Sequence, residues 1–600
     1  MYWTVGLDRL SAFFALIIVF LGLIVQVYAW GYEQKVGGFK GFFEGLLLNA
    51  FIVSMLLVVL ARDMFFFLWA WETMSLLSFV LLMKKGDEPA VAKAGTLYVI
   101  MTHTATGFLF IMFLILAHLS GGSTFPEMAH MRFYIPPSLA AGIFVLAVIG
   151  FGTKAGLVPF HSWLPEAHPL APSHVSALMS GVMITLGYYG LLRIVYDLLP
   201  PAPLWWGILL MVIGAATAFL GILYSLTTSN IKRFLAYSSI ENSGLLALAL
   251  GSAWVAKAWG ADELAGTFIA AFFFHLIVHA LFKSGLFLGA GVIEHVTGTL
   301  DVDKLGGLMR RMPDVATMMS LFFATMALIP PLAGFTGEWI MYRSYLDLLR
   351  VSPDVLGKMG VLMPILVLAF SGMMTMGLAL KHFALIFLAA PRSKEAQTAY
   401  PASIFMRLAL YVVAFFLLVL SASPALTYHL GASLALSFGL MPREPFFTEL
   451  FPLWLVTSIP VLLLVFITVR LKFGRPKVVH EPIWACGISP HPHVQVTSYA
   501  YSQSLALLFK RILGFKIVYR RVSSEQVDED VKKYVPVRLF HQSKLKDWAY
   551  EGLYVPLARY IVRASERIRR IQSGNVQMYL AILFSVLLLL LWWISPHFWR

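Results

Sequence analysis

Charge and cysteine are both scarce in this sequence. Asp, Glu, Lys and Arg make up 13% of its 600 residues, against roughly 25% in an average soluble domain. Hydrophobic residues make up 59% and the mean hydropathy is +0.79, so we predict a polytopic membrane protein. The single cysteine, Cys486, excludes an internal disulfide. It also excludes an iron–sulfur cluster or cysteine-rich zinc site built by this chain alone.

The sequence also lacks the patterns of a self-sufficient enzyme. It contains no phosphate-binding glycine loop, no nucleophile elbow and no His-Glu-x-x-His pattern. We therefore expect no cofactor and no metal in this chain. The net charge of +14 is explained by basic loops rather than by a nucleic-acid partner, because basic residues concentrate on the inner side of membrane proteins. The N-terminus lacks the basic region of a cleaved signal peptide.

Long apolar windows predict an all-α fold with fourteen transmembrane helices. Basic residues follow the odd-numbered spans far more often than the even-numbered ones, which predicts an N-terminus outside a bacterial or archaeal cytoplasmic membrane. The predicted spans lie near residues 8–30, 42–61, 64–83, 92–118, 137–166, 172–198, 204–227, 231–252, 265–293, 314–345, 359–390, 403–424, 451–470 and 576–594.

Two of these spans are interrupted. The fifth contains Lys154 and Pro159 among several glycines, and the tenth contains Pro330, Pro331 and Glu338. Unwound backbone at membrane depth is tolerated only where it is buried or lines a wet cavity. The breaks lie five spans apart, so the second runs in the opposite direction to the first. This arrangement predicts an inverted repeat that pairs spans 2–6 with spans 7–11.

The tail has a different composition. Beyond a polar stretch, apolar residues recur at steps of three and four between Leu557 and Ile571, with arginines from Arg559 to Arg570 between them. This pattern predicts a basic amphipathic helix along the membrane surface or along neighbouring helices. The predicted organisation is an N-terminal span (1–41), a first inverted repeat (42–200), a second inverted repeat (201–395), additional spans (396–472), a cytoplasmic polar segment (473–545), an amphipathic lateral helix (546–574) and a final transmembrane helix (575–600).

Three ionisable side chains share one face of the ninth span. His275, His279 and Lys283 are spaced i, i+4, i+8. A charged group at bilayer depth costs about 2.5–3.5 kcal/mol on insertion scales, so such groups mark ion pathways. We interpret this face as part of a proton path that should point into the protein.

Glu72 in the third span and Lys154 at the first break form the second candidate set. A functional ion pair between them is the preferred interpretation. The alternatives are a hydrogen-bonded structural carboxyl for Glu72 and a lysine that reaches to the interface for Lys154.

Five further residues carry weaker signals. Glu338 at the second break is the repeat counterpart of Lys154, and Glu241 lies in the eighth span. Lys232 starts that span and is either functional or one of the inner basic residues. His103 is interpreted as structural. Lys381, near the inner end of the eleventh span, is either functional or a lysine that snorkels to the interface.

Several segments resemble the antiporter-like membrane subunits of respiratory complex I and its relatives. The resemblance covers about residues 7–390. It is carried by Leu7-Asp8-Arg9-Leu10-Ser11, Trp71-Glu72, Gly152-Thr153-Lys154, His161-Ser162-Trp163-Leu164-Pro165-Glu166-Ala167-His168, Asn230-Ile231-Lys232-Arg233-Phe234-Leu235-Ala236-Tyr237, the His275/His279/Lys283 face and Gly334-Phe335-Thr336-Gly337-Glu338.

The resemblance implies a role for each group. Glu72 and Lys154 would be the pumping pair, the His275/His279/Lys283 face the central relay, and Glu338 the exit residue. Thr185 stands where several relatives carry a lysine between the pumping pair and the relay. Two further spans usually precede the Leu7-Asp8 segment in that family.

Motifs around Lys283, in Ala390-Pro391-Arg392-Ser393-Lys394-Glu395-Ala396 and in Trp484-Ala485-Cys486-Gly487 are similar to the large membrane subunits of formate hydrogenlyase and hydrogenase-4. The function this implies is proton or cation translocation, with the [NiFe] centre and iron–sulfur clusters on partner subunits. The expected partners are other membrane subunits, a peripheral hydrogenase-type arm and the lipid bilayer. The alternatives are an antiporter-like subunit of NADH-quinone oxidoreductase, a Mrp-type cation/proton antiporter and a non-transporting anchor.

Overall fold

The computed structural model describes residues 4–32, 38–86, 88–388, 390–443, 495–514, 516–521, 539–544, 547–569 and 576–598. Nearly all of these residues are helical. The helices are α1 (Arg9–Tyr32), α2 (Gly38–Leu60), α3 (Met64–Leu82), α4 (Pro89–Ser120), α5 (Phe125–Met131), α6 (Pro137–Ala155), α7 (Trp163–Ala167), α8 (Ser173–Leu198), α9 (Leu204–Ser225), α10 (Ile231–Ala258), α11 (Asp262–Thr297), α12 (Pro313–Met326), α13 (Ala333–Val351), α14 (Val355–Leu388), α15 (Ile404–Ala422), α16 (Pro424–Ser437), α17 (Ser498–Leu508), α18 (Val555–Arg569) and α19 (Val576–Phe598).

Ten helices in the described part of the chain are long and apolar enough to cross a membrane. They match the predicted spans 1–7, 9, 11 and 12. The eighth predicted span is α10, which is too polar for that criterion although most of its residues are buried. The predicted thirteenth span, 451–470, lies outside the described residues. The fold is the predicted all-α membrane architecture, and the total of fourteen spans is not confirmed.

Both predicted helix breaks are present. The fifth span was predicted to reach residue 166, but α6 ends at Ala155, because Gly156 adopts a left-handed backbone (φ 77°) that closes the helix. The break places Lys154 in the last turn of α6. The tenth span is divided into α12 and α13, and the residues between them include Pro330 and Pro331, which cannot continue the helical hydrogen bonds.

Small residues bring α9 and α10 into close contact along their length. A Cβ added at Gly244 of α10 would lie 2.3 Å from the backbone nitrogen of Ala218 in α9, and one added at Gly221 would lie 2.6 Å from the backbone nitrogen of Glu241. Close backbone approach through glycine is the usual packing mode of membrane helices. It fixes α10 in the interior, where it presents polar side chains to α8, α11 and α14.

The chain divides into two units, Met1–Val518 and Tyr519–Arg600. Strands β1 (Lys516–Arg521) and β2 (Leu539–Lys544) form a two-stranded sheet within the segment that was predicted only to be polar. The predicted lateral helix is present as α18, shorter than its predicted range of 546–574. Leu557, Ile561 and Ile568 on its apolar stripe are 50%, 54% and 66% exposed within this unit.

Candidate functional site

The three ionisable residues of α11 lie in the interior, as predicted. His275, His279 and Lys283 are 1%, 0% and 0% exposed. Helix α11 runs for 36 residues through the bundle, and nearly all of its side chains are buried. The ionisable face is therefore directed at protein and not at lipid.

Helix α10 supplies the partners of this face. The Nε2 atom of His275 lies 3.0 Å from Asn242 Oδ1. The Lys283 ammonium donates to the Ser238 hydroxyl and, at 3.3 Å, to the Leu235 carbonyl. A third acceptor is the Met326 sulfur at 3.9 Å. All three acceptors are neutral, and no carboxylate among the described residues bonds this ammonium directly.

Several buried polar atoms around this face have no protein partner in the described part of the chain. They are both ring nitrogens of His279, Nδ1 of His275, and one carboxylate oxygen each of Glu241 and Glu338. Buried polar atoms almost always make hydrogen bonds, to ordered water where the protein offers none. The face therefore has unused hydrogen-bonding capacity in its centre, at His279.

Glu241 and Glu338 flank the His275/His279/Lys283 face of α11, which we call the central face. Glu241 accepts a hydrogen bond from Thr375 of α14 and lies three residues after Ser238 on α10, so it is a helical neighbour of the Lys283 partner. Glu338 is 5% exposed at the start of α13. A Cβ added at the preceding Gly337 would lie 3.5 Å from His275 Nδ1, so the second break packs directly against the central face.

Lys154 and Glu72 lie near each other but have different partners. Lys154 is 2% exposed, and its Nζ donates to the Ser75 hydroxyl at 2.7 Å. The same atom lies 5.6 Å from the ring centres of Trp71 and Tyr98, a distance at which a cation is attracted by an aromatic face. Among the residues that the structure describes, no ion pair joins Lys154 to Glu72.

The Glu72 carboxylate approaches a histidine instead. Its Oε2 atom lies 2.8 Å from His103 Nδ1 on α4, an ion-pair distance without hydrogen-bond alignment. The side chains of His103 and Glu72 are 45% and 26% exposed. His103 was interpreted from sequence as structural, and the structure places it beside a candidate proton carrier. The sequence offered no signal for this contact, because it depends on how α3 and α4 pack.

Lys232 forms a half-buried ion pair at the other side of the central face. Its Nζ donates to Glu294 at 2.6 Å and to the Ala171 carbonyl at 3.0 Å, and the lysine is 1% exposed. Sequence reasoning did not select Glu294. It lies eleven residues after Lys283, three full turns along the same face of α11, and this spacing could have found it.

Hydroxyl groups of α8 and α10 lie next to the break that carries Lys154. Ser243 of α10 donates to the carbonyl of Ala155, next to Lys154, at 2.6 Å, and also bonds Tyr188 of α8 at 2.9 Å. Ser239, one turn earlier, bonds Ser180 at 2.7 Å. Within the part of the chain that the structure describes, Thr185 bonds only its own helix, at the Val182 carbonyl. These hydrogen bonds join α10 to α8 and to the end of α6, and the sequence alone did not indicate them.

No group of three or more His, Cys, Asp or Glu side chains suited to a metal occurs within the described residues. The ionisable groups are instead spread over several helices, with Lys154 on α6, Glu241 on α10, the His275/His279/Lys283 face on α11 and Glu338 on α13 all buried. We call this series of groups, with Glu72 at its start, the line. The line is compatible with proton transfer between side chains and does not resemble a ligand cage.

Two family models match the chain. The model described as "NADH:quinone oxidoreductase/Mrp antiporter, TM" matches residues 61–350, and the one described as "NADH-Ubiquinone oxidoreductase (complex I), chain 5 N-terminus" matches residues 1–43. The first match contains Glu72, Lys154, Lys232, the α11 face and Glu338. It therefore includes both helix breaks.

Individual relatives cover almost the whole chain. The chain is 34% identical over 609 residues to hydrogenase-4 component B of Escherichia coli strain K12, and the match covers 98% of this chain and 88% of that protein. It is 32% identical to formate hydrogenlyase subunit 3 of the same strain, covering 86% and 82%. A chain in the structure of an archaeal membrane-bound sulfane sulfur reductase has the same fold, with a TM-score of 0.74 at 20% identity, covering 98% of this chain and 89% of that chain.

Proposed function

Because this chain belongs to the family of antiporter-like membrane subunits that includes hydrogenase-4 component B and formate hydrogenlyase subunit 3, we propose that it translocates protons for an energy-converting hydrogenase-type complex. The observation that carries the proposal is the interior line of ionisable side chains. Charged groups at this depth are costly, and a purely structural bundle would dispense with them.

The two central lysines have acceptors suited to proton exchange. Lys154 and Lys283 each donate to a serine hydroxyl. A hydroxyl can accept from an ammonium and can donate to a neutral amine. Both protonation states of each lysine therefore find a partner without a rearrangement of the helices. This property distinguishes a proton carrier from a lysine locked to a carboxylate.

A proton would move along the line in short steps. Glu72 and Lys154 form the first exchange site, and the hydroxyls of Ser243 and Ser239 lead from it along α10 to the central face. Lys283, His279 and His275 carry the proton along α11, with water at the unpartnered nitrogens of His279. Glu338 at the second break, with Glu241 beside the central face, receives it. Lys232, paired with Glu294, adjusts the local charge at the other side of the central face.

The partners follow from the absence of redox ligands in the sequence. We propose that the [NiFe] centre and iron–sulfur clusters belong to a peripheral hydrogenase-type arm, and that further membrane subunits join the two. The distribution of basic loops supports an N-terminus outside the cytoplasmic membrane. Movement of protons, or of another cation coupled to protons, would be driven by electron transfer in that arm.

The Lys154→Ala variant tests the proposal. The complex, purified with its native partners and reconstituted into liposomes, should assemble normally, because the helix break and not the charge shapes α6. Its proton pumping should fall by about two orders of magnitude, the scale of a lost proton-transfer group. Lys257→Ala is the matched control, since Lys257 is 47% exposed in an ion pair with Asp262. Normal pumping by Lys154→Ala complexes would show that the residue is structural.

A further inference from the structure

Lys381 is a buried lysine that the line described above does not use. It lies near the end of α14 and is 2% exposed. Its Nζ donates to the Leu226 carbonyl and to the Ser502 hydroxyl, both at 3.2 Å. Both acceptors are neutral. Burying an ammonium without a bonded carboxylate costs several kcal/mol, so a lysine that only reached for the interface would not be held in this way.

Helix α14 connects Lys381 to both carboxyls beside the central face. Thr375 of this helix donates to Glu241. A Cβ added at Gly372 would lie 3.7 Å from Oε2 of Glu338. Lys381 follows Thr375 by six residues, about 9 Å along the helix axis. Helix α14 thus lies next to Glu338 and Glu241 in turn and then carries Lys381 near its own end.

The end of this route is covered by α17. Ser498, Ser502 and Ala506 recur every four residues on this helix, and all three are buried. Their small side chains allow the helix to lie directly on the loop after α9. There the Ser502 hydroxyl donates to the Leu226 carbonyl at 2.7 Å, and that of Ser498 to the Thr228 carbonyl at 3.4 Å.

The attachment of this cover combines hydrogen bonds with an aromatic contact, since Phe509, directly after α17, packs against Phe219 and Phe370 at ring-centre distances of 6.3 and 5.7 Å. The Ser498 amide donates to Asp303 at 2.6 Å, and Arg392 donates to the Val496 carbonyl at 2.9 Å. Leu505 and Leu508 of the same helix are 38% and 73% exposed, so they do not anchor it in the bundle. Detaching α17 would break these hydrogen bonds, each worth about 0.5–1.5 kcal/mol net, and would expose the ring of Phe509.

We propose that Lys381 is a further proton-carrying residue, which links the cytoplasmic water to Glu241 and Glu338, and that α17 is the cover that controls access to it. The inference rests on the proposed function, because it adds a branch to the same line. With α17 in place, Lys381 is closed from water and held by Ser502. When α17 moves away, Lys381 loses one acceptor and meets water, from which it can take up a proton.

Two variants test the branch in the reconstituted complex. Lys381→Met should reduce proton pumping at least about tenfold. Ser502→Asp should do the same by a different route, because a fixed carboxylate would hold both the ammonium and the cover in place. Ser504→Asp is the matched control, since it adds the same charge to an exposed position of α17 and should pump normally.

The outcomes separate this inference from the proposed function. If Lys154→Ala stops pumping while Lys381→Met and Ser502→Asp pump normally, the branch is wrong and the proposed function stands. If all three pump normally, both are wrong.

A labelling experiment tests the cover without removing Lys381. In a Cys486→Ser background, Ser502→Cys should react slowly with a membrane-impermeant thiol reagent at rest, and at least about tenfold faster during turnover. Equal rates in the two conditions would overturn the cover. Ser504→Cys should react at the same rate in both.

Discussion

Lys154 of α6 donates a hydrogen bond to Ser75 of α3, while Glu72, one turn before Ser75 on α3, approaches His103. Each member of the expected pair therefore has a neighbour of its own, and no ion pair joins the two among the described residues. The arrangement gives the Lys154 ammonium a neutral acceptor and leaves the Glu72 carboxylate beside a group that can also carry a proton.

Ser75 should contribute to pumping through this contact. We expect Ser75→Ala to lower the pumping rate by about three- to tenfold, because the Lys154 ammonium loses its hydroxyl acceptor in a low-dielectric setting. Dye quenching in proteoliposomes measures the rate. Ser54→Ala is the control, since the Ser54 hydroxyl is equally buried but bonds only its own helix, at Phe51. Equal loss in both variants would point to a general packing defect.

Ser243 provides the second test of the hydroxyl bridge. Its hydroxyl joins the Ala155 carbonyl to Tyr188, so Ser243→Ala should slow proton transfer between Lys154 and the central face by about tenfold or more. Ser252→Ala removes another buried hydroxyl of α10, which bonds Leu248 and Tyr345 away from the line. A Ser243→Ala complex that pumps at the rate of the Ser252→Ala complex would rule out the bridge.

Asp8 predicts a pH dependence of stability. Burial raises the pKa of this carboxyl, but the hydrogen bond and charge of Arg193, 2.7 Å away, outweigh burial and hold the pKa well below its usual range. A carboxyl whose pKa is lower in the folded than in the unfolded state stabilises the fold at pH values above its unfolded-state pKa of about 3.9. This contribution is lost as the pH falls below that value.

We therefore expect Asp8→Asn to lower the thermal unfolding midpoint at pH 7 by about 2 °C or more. The difference from the unmodified protein should shrink as the pH falls below about 4. Asp262→Asn, which disrupts an exposed pair with Lys257, should have little effect at either pH. A difference for Asp8→Asn that is independent of pH would contradict the ionic explanation.

The basic helix α18 is expected to support assembly. A helix with an apolar stripe opposite several arginines binds either anionic headgroups or a protein surface. We favour a clamp on the spans or on a neighbouring subunit, so deleting residues 545–600 should weaken subunit assembly more than it alters the ion path. Native gel electrophoresis of membrane extracts measures assembly. Full assembly with loss of pumping alone would contradict the clamp and indicate direct coupling.

The sequence predicted the parts of this protein that depend on local chemistry. Proline and glycine located both helix breaks, since their effect on a helix is local. The i, i+4, i+8 spacing placed the ionisable face of α11 in the interior, since the cost of charge in lipid decides its direction.

The partners of these residues depend on packing between distant segments. Ser75, Ser238 and Ser243 carry no sequence signal, because a serine in a transmembrane helix can equally bond its own backbone. The Glu72–His103 contact and the cover over Lys381 arise from the rotation of neighbouring helices, which hydropathy does not encode.

The most direct test of the account is the number of protons moved per electron transferred by complexes that carry Lys283→Met. This lysine is fully buried at the centre of the line and can be replaced by an apolar side chain of similar length. Proteoliposomes with a pH-sensitive dye, driven by the electron donor of the complex, give the ratio. We predict that electrons still flow, that proton transfer through this subunit slows by about two orders of magnitude, and that the ratio therefore falls below that of the unmodified complex. A ratio equal to that of the unmodified complex would contradict proton translocation along this line.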